Sequence, residues 1–233
     1  MRANDRVTHM LEKTAEVLAP ILDKLVFTGG AVVPFFLDQY KEDFRPTEDV
    51  DCVIEISGRL AYGRLEKELR KLKLVNDISS GVICRWKYDD VLIDIMPTDG
   101  KILGFENSWY SEGLKHSIQH FLPSGRSISI FEIEYLMASK IEAFWSRGLV
   151  DIQTSKDLED IVHLILYSSR MERCLTAKIE VLRYLSKEFR RMLSRPDISE
   201  EIGGFLRSDE IAKGKVKDVI RMMNRIVVRE GSF

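Results

Sequence analysis

Residues 25–56 read LVFTGGAVVPFFLDQYKEDFRPTEDVDCVIEI, and two features of this stretch decide the fold. The apolar run Leu25-Val26-Phe27 closes on Gly29-Gly30, and the next apolar run opens on Asp49 and Asp51. Side chains alternate along a strand, so Asp49, Asp51, Val53 and Glu55 share one face while Val50, Cys52, Ile54 and Ile56 share the other. Two carboxylates at i and i+2 of a strand start therefore stand side by side. That costs energy unless a cation lies between them, and a hard divalent ion such as Mg²⁺ takes such an oxygen-rich arrangement, commonly together with substrate phosphates. The glycine pair supplies the complement. The composition of AVVPFFLDQY permits a short helix, and backbone N–H groups at a bare turn leading into a helix favour an anion. Strand, Gly-Gly, helix and a strand with Asp-x-Asp read together as a phosphate cradle facing a metal clamp. Taken singly, each also has a plain reading, as a turn and as a solvated strand end.

Downstream, Ile83–Tyr88 and Val91–Met96 flank Asp89-Asp90 in a hairpin-like pattern. Asp94 lies in the second run between Ile93 and Ile95, where a carboxylate is expensive unless paired or metal-bound. It is the third candidate ligand, with a water-facing edge-strand position as the alternative. Upstream, Val7, Met10, Leu11, Leu18, Ile21 and Leu22 fall near helical spacing, with Pro20 a break. Residues 39–47 read as a polar loop in which Arg45 is either a surface residue or one that reaches phosphates. Leu65, Leu69 and Leu72 mark a helix. His116 and His120 have the i, i+4 spacing of a zinc pair but lack a third ligand, so solvated histidines are the simpler account. Pro123-Ser124-Gly125 is a turn, and a domain boundary is placed beside it, giving 1–125 and 126–233.

From Ile130 the pattern turns helical. Ile133, Met137, Lys140 and Phe144 share a stripe, and Arg147 lies two turns beyond Lys140. Either these cations snorkel from a buried face or the face borders an anion. Ser155 is placed to cap the next helix, and Asp157 and Glu159 suit its first turn. Asp160 is less well explained by capping. The rest reads as further helices, with Ile179, Leu182, Leu185, Phe189 and Leu193 on one stripe.

The order GG…TEDVD resembles the nucleotidyltransferase superfamily with the DNA-polymerase-β-like catalytic fold. The string LMASKIEAFWSRG…SKDLEDIVHL is similar to the second half of the AbiEii-type nucleotidyltransferases, bacterial toxin–antitoxin components, and their uncharacterised relatives. The resemblance spans roughly residues 25–167. It implies an α/β (α+β) fold, in which an N-terminal mixed sheet flanked by helices bears the site and a C-terminal helical domain follows. It implies Asp49, Asp51 and Asp94 as catalytic and metal-binding acids for Mg²⁺ or Mn²⁺, two ions in all. Gly29, Gly30, Thr47, Lys140, Arg147, and Asp157 or Asp160 are implied at the nucleotide. The implied reaction moves a nucleoside monophosphate from an NTP to a hydroxyl of RNA, tRNA or protein, with a cognate antitoxin as a candidate partner. A small-molecule acceptor, as in antibiotic-modifying members, and a silent binding module are the alternatives. The chain departs from the pattern at Gly30, where many members carry Ser. It also lacks the Val-Arg-Asp-type run and the Arg-rich motifs of the CCA-adding and poly(A)-polymerase branch.

Composition sets the remaining bounds. The 233 residues are 45% hydrophobic with a formal charge of −2, which excludes a strongly basic nucleic-acid protein. Residues 170–233 hold 15 Lys and Arg against 10 Asp and Glu, so the acid excess lies in the catalytic half and the tail is mildly basic. Cys52, Cys84 and Cys174 have no metal or disulfide spacing and read as reduced thiols of a cytoplasmic protein. The first residues lack a signal-peptide core, and no run approaches a membrane span.

Overall fold

The computed structural model describes residues 3–39, 44–104, 107–149 and 151–230. Tyr40–Asp43 of the polar loop, Phe105-Glu106 and Val150 lie outside the described residues. The protein has a mixed α/β architecture and divides into two compact units. One comprises Met1–Phe35 and Tyr40–Glu132, the other Phe36–Gln39 and Ile133–Phe233.

The first unit is built on seven strands: β1 (Leu25–Thr28), β2 (Asp49–Ile54), β3 (Val75–Asn76), β4 (Arg85–Tyr88), β5 (Val91–Pro97), β6 (Ser117–Phe121) and β7 (Ser127–Phe131). They form one mixed sheet in the order β3-β4-β5-β2-β1-β7-β6. At its centre, β2 runs antiparallel to β1 and parallel to β5. The apolar positions of β2 and β5 are nearly all buried, as strands covered on both faces require. Helices α1 (Ala3–Val17), α3 (Gly100–Leu103) and α4 (Tyr110–Lys115) pack on strands of the sheet, and α2 (Arg59–Lys71) meets it where Arg70 lies over the Trp86 ring. Val7, Met10, Leu11 and Leu18 of the N-terminal stripe are buried, and α1 packs on β2 and β5. Pro20 opens a separate 3₁₀ turn, Ala19–Lys24, because its ring cannot continue the helix.

Two expectations change here. The break between the units falls at Glu132/Ile133 rather than beside Gly125, because residues 127–131 are a strand. Ser127-Ile128-Ser129-Ile130 alternates with period two, burying Ile128 and Ile130. β7 pairs parallel to β1, with Ile130 opposite Phe27. The helix predicted from Ile130 therefore begins at Ile133. His116 and His120 share no helix face. His116 ends α4 and His120 lies on β6, its ring stacked on Phe35 at 3.7 Å.

The second unit is helical: α5 (Ile133–Ala143), a π-helical turn at Phe144–Gly148, α6 (Lys156–Tyr167), α7 (Ile179–Leu193), α8 (Ile198–Gly203), α9 (Ser208–Ala212) and α10 (Lys215–Glu230). Every residue of α5 from Ile133 to Ile141 is buried, which marks it as the central helix of this unit. α7 packs along α10, where Leu182, Leu185 and Phe189 from one helix and Val219, Met223 and Ile226 from the other are buried. No helix among the described residues is long and apolar enough to cross a membrane. The three cysteines are free and buried.

Candidate functional site

The sheet brings the acids of the first unit together by register. On β2 and β5, Asp51 stands opposite Asp94, and on β1 and β2, Thr28 stands opposite Asp51. Side chains of registered neighbours leave a sheet on the same face, and Asp49 joins that face by alternation. The antiparallel partner of Asp94 on β4 is Arg85. Its guanidinium binds Asp94 in a fork, Nε donating to Oδ1 at 2.8 Å and Nη2 to Oδ2 at 2.7 Å. The same Nη2 donates to Asp49 Oδ2 at 2.5 Å. Asp49 and Asp94, far apart in sequence, thus meet on one nitrogen.

The charges of this cluster reinforce one another. The hydrogen bonds to Asp94 raise the Arg85 pKa against the opposing effect of burial, and the fields of Asp94, Asp49 and Asp51 add to the rise. Arg85 is a permanent cation in this setting. Its neighbour Cys84 is pushed up to about 12, first by burial and then by the fields of Asp94 and Asp51. It remains a neutral thiol at physiological pH and supplies no thiolate.

The glycine turn abuts the same acids. Gly29 has φ +72°, and a Cβ added there would lie 1.8 Å from Asp51 Oδ2. Only glycine allows both the left-handed backbone and the close approach of that carboxylate. At Gly30 an added Cβ would meet Arg45 Nη2 at 3.0 Å and Thr47 Oγ1 at 3.3 Å. Two polar side chains from the following loop therefore fill the space a serine would need. The segment after the turn, Gly30–Phe35, is a six-residue 3₁₀ helix containing Pro34. It is too short for the helix dipole anticipated there, so Arg45 supplies the positive charge beside the turn.

The donor chemistry of this face fits a hard divalent cation, since Asp49, Asp51 and Asp94 offer only carboxylate oxygens from two adjacent strands. Among the described residues, no group of three His, Cys, Asp or Glu side chains is drawn together as a metal cage. Two of the three acids are bonded instead to Arg85. Arg85 was absent from the sequence-derived candidates, although a signal for it exists. The two-residue turn Asp89-Asp90 fixes the hairpin register, and counting back from Tyr88 opposite Val91 places Arg85 opposite Asp94.

The remaining candidates form a cluster inside the second unit. Lys140 is buried on α5, its Nζ 2.6 Å from Asp160 Oδ2 and 3.4 Å from Asp157 Oδ1. Arg147, on the π-helical turn, donates from Nε to Asp157 Oδ2 at 2.9 Å and from Nη2 to Oδ1 at 3.3 Å. Burial would push the Asp157 carboxyl up, but Lys140 and Arg147 together more than offset it and the pKa lies below the ordinary aspartate value. Ser155 caps α6, its Oγ accepting from Leu158 N–H at 3.3 Å. Gly148 is needed where the turn passes that cap, because an added Cβ would lie 2.6 Å from Ser155 Oγ. Asp160, which capping left unexplained, has Lys140 as its partner. No protein-family model matches the sequence, and no curated protein matches it.

Proposed function

We propose that the chain is a metal-dependent nucleotidyltransferase that moves a nucleoside monophosphate from an NTP to an acceptor hydroxyl. The observation that supports it most is the placing of Asp49, Asp51 and Asp94 on one face of adjacent strands, with Gly29 pressed against Asp51. In this reading the three carboxylates hold Mg²⁺ or Mn²⁺, up to two ions, which neutralise phosphate charge and activate the attacking oxygen when bound. Gly29 lets Asp51 lie against the turn that, in this reading, holds the triphosphate. Arg45 and Thr47, which crowd Gly30, take the role a serine hydroxyl has in many similar enzymes. The acceptor oxygen forms a bond to the α-phosphorus, the α–β anhydride bond breaks and pyrophosphate leaves. The proton of the acceptor hydroxyl passes to a carboxylate of the cluster, Asp94 being the one on the neighbouring strand. Catalysis of this kind needs positioning and charge neutralisation more than covalent chemistry.

Lys140, Arg147, Asp157 and Asp160 are carried as nucleotide contacts by the resemblance alone, since each finds an opposite charge within its own unit. The acceptor in this reading is RNA, tRNA or a protein side chain, the setting is the cytoplasm, and an antitoxin is the candidate regulator.

One observation favours a second reading, a silent module of the same fold: the Arg85 guanidinium pairs with both Asp49 and Asp94. Incubation with each α-labelled NTP and total RNA or lysate separates the two. Label that enters a macromolecule and disappears with Asp51→Ala supports the enzyme. No label, together with no Mg²⁺-dependent thermal shift by any of the four NTPs, supports the module.

A further inference from the structure

We infer that Arg85 is the resident counter-ion of the carboxylate cluster, and that a divalent cation enters by exchanging with its guanidinium. This rests on the metal-site reading above and adds the residue that sets the site's affinity for the ion.

Three observations carry it. The guanidinium is bonded to the strand-start acid and to the buried acid of the neighbouring strand through three contacts of 2.5–2.8 Å. A cation that joins Asp49 to Asp94 must compete for the same lone pairs. The Arg85 backbone is fixed independently of its side chain. Its N–H donates to Val82 O at 3.1 Å, and its carbonyl accepts from Asp77 N–H at 2.9 Å and from Asn76 Nδ2 at 3.1 Å. Exchange therefore requires only rotation of side-chain torsions, with β4 held in place. Finally, Asp51 stands in register with Asp94 and shares the face of Asp49, so an ion that takes the place of the guanidinium has a third carboxylate beside it.

The inference predicts that Arg85 weakens metal binding while stabilising the metal-free protein. Mn²⁺ titration of the full chain, followed by the paramagnetic resonance of the free ion, reads the first effect. Arg85→Gln should bind Mn²⁺ about tenfold or more tighter than wild type. In metal-free buffer it should melt lower, with saturating Mn²⁺ narrowing the gap. In wild-type protein, titration with Mg²⁺ should move the Arg85 Nε–H resonance from its hydrogen-bonded position toward that of a solvated arginine. That measurement needs no variant and serves if Arg85→Gln does not fold.

Equal Mn²⁺ affinity in both proteins, or an Nε–H signal unmoved while amides of β2 and β5 respond to Mg²⁺, overturns the exchange and leaves the metal site standing. Absence of Mn²⁺ binding in both proteins, with or without NTP, overturns the metal site and the exchange together.

Discussion

The protein holds two clusters of acids and bases that look alike in composition and differ in how deeply their acids are buried. In the second unit, Lys140 and Asp160 have side chains 7% and 0% exposed. Their acids and bases match one for one when Asp157 and Arg147 are included. In the first unit, Arg85 and Asp49 are 19% and 28% exposed at the side chain. A closed and balanced cluster serves to satisfy itself, because a buried charge is tolerated only with its partner in place. A half-open cluster leaves its carboxylates within reach of a cation from solution. In the proposed reading the metal chemistry lies at β2 and β5, while the ion pairs of α5 and α6 fasten their own unit.

The largest expected effect tests the open cluster. Asp51→Ala should lower NMP transfer by about 1,000-fold, about 4 kcal/mol of barrier, while the melting temperature stays within a few degrees of wild type. Steady-state label incorporation and calorimetry check the two halves. Loss of activity accompanied by equal loss of stability would erase the distinction between the clusters.

The closed cluster should respond the other way. Lys140→Met leaves Asp160 buried without its cation and should cost roughly 3–5 kcal/mol of stability, read from urea unfolding. The double variant Lys140→Met, Asp160→Leu should recover much of that, since an apolar pair of similar volume replaces a buried ion pair. Failure of the double variant to recover would show that Lys140 serves more than Asp160.

Gly29→Ala tests the join between turn and acid. The left-handed backbone alone costs about 1–2 kcal/mol for a residue with a Cβ, and the clash with Asp51 adds to it. Arg147→Ala, at the exposed rim of the closed cluster (72% exposed), should cost under about 1 kcal/mol. The smallest effect is in pH. The Asp157 carboxyl is held below its ordinary value, so its contribution is complete above that value and is lost as pH falls through the lowered one. Urea midpoints of wild type should fall on the acid side, below about pH 4, and Asp157→Asn should flatten that limb without altering stability differences between pH 6 and 8.

How much of this could be read from the chain depends on which interaction decides each feature. β2 and the hairpin β4–β5 were legible because alternation and a two-residue turn are local signals. The acids Asp49, Asp51 and Asp94 stood out because carboxylates in apolar runs are costly. Arg85 was equally derivable from the hairpin register, but a basic residue at a strand start looks like ordinary surface until its partner is counted across. Ile130 adjoins a long helical stripe and reads as its start, and only pairing with β1 makes residues 127–131 a strand. The partners of Lys140 and Asp160 come from different helices, so no spacing along the chain reveals the pair. Arg45 was open between surface and site, and its approach to Gly30 depends on how the loop folds back.

The most direct test of the central claim is an anomalous-scattering crystal structure of the protein with Mn²⁺ and a non-hydrolysable NTP analogue. The account predicts a Mn²⁺ peak bound by carboxylate oxygens of Asp49, Asp51 and Asp94, with the triphosphate against Gly29-Gly30. Nucleotide and metal bound elsewhere, with Arg85 still joining Asp49 to Asp94, would contradict it.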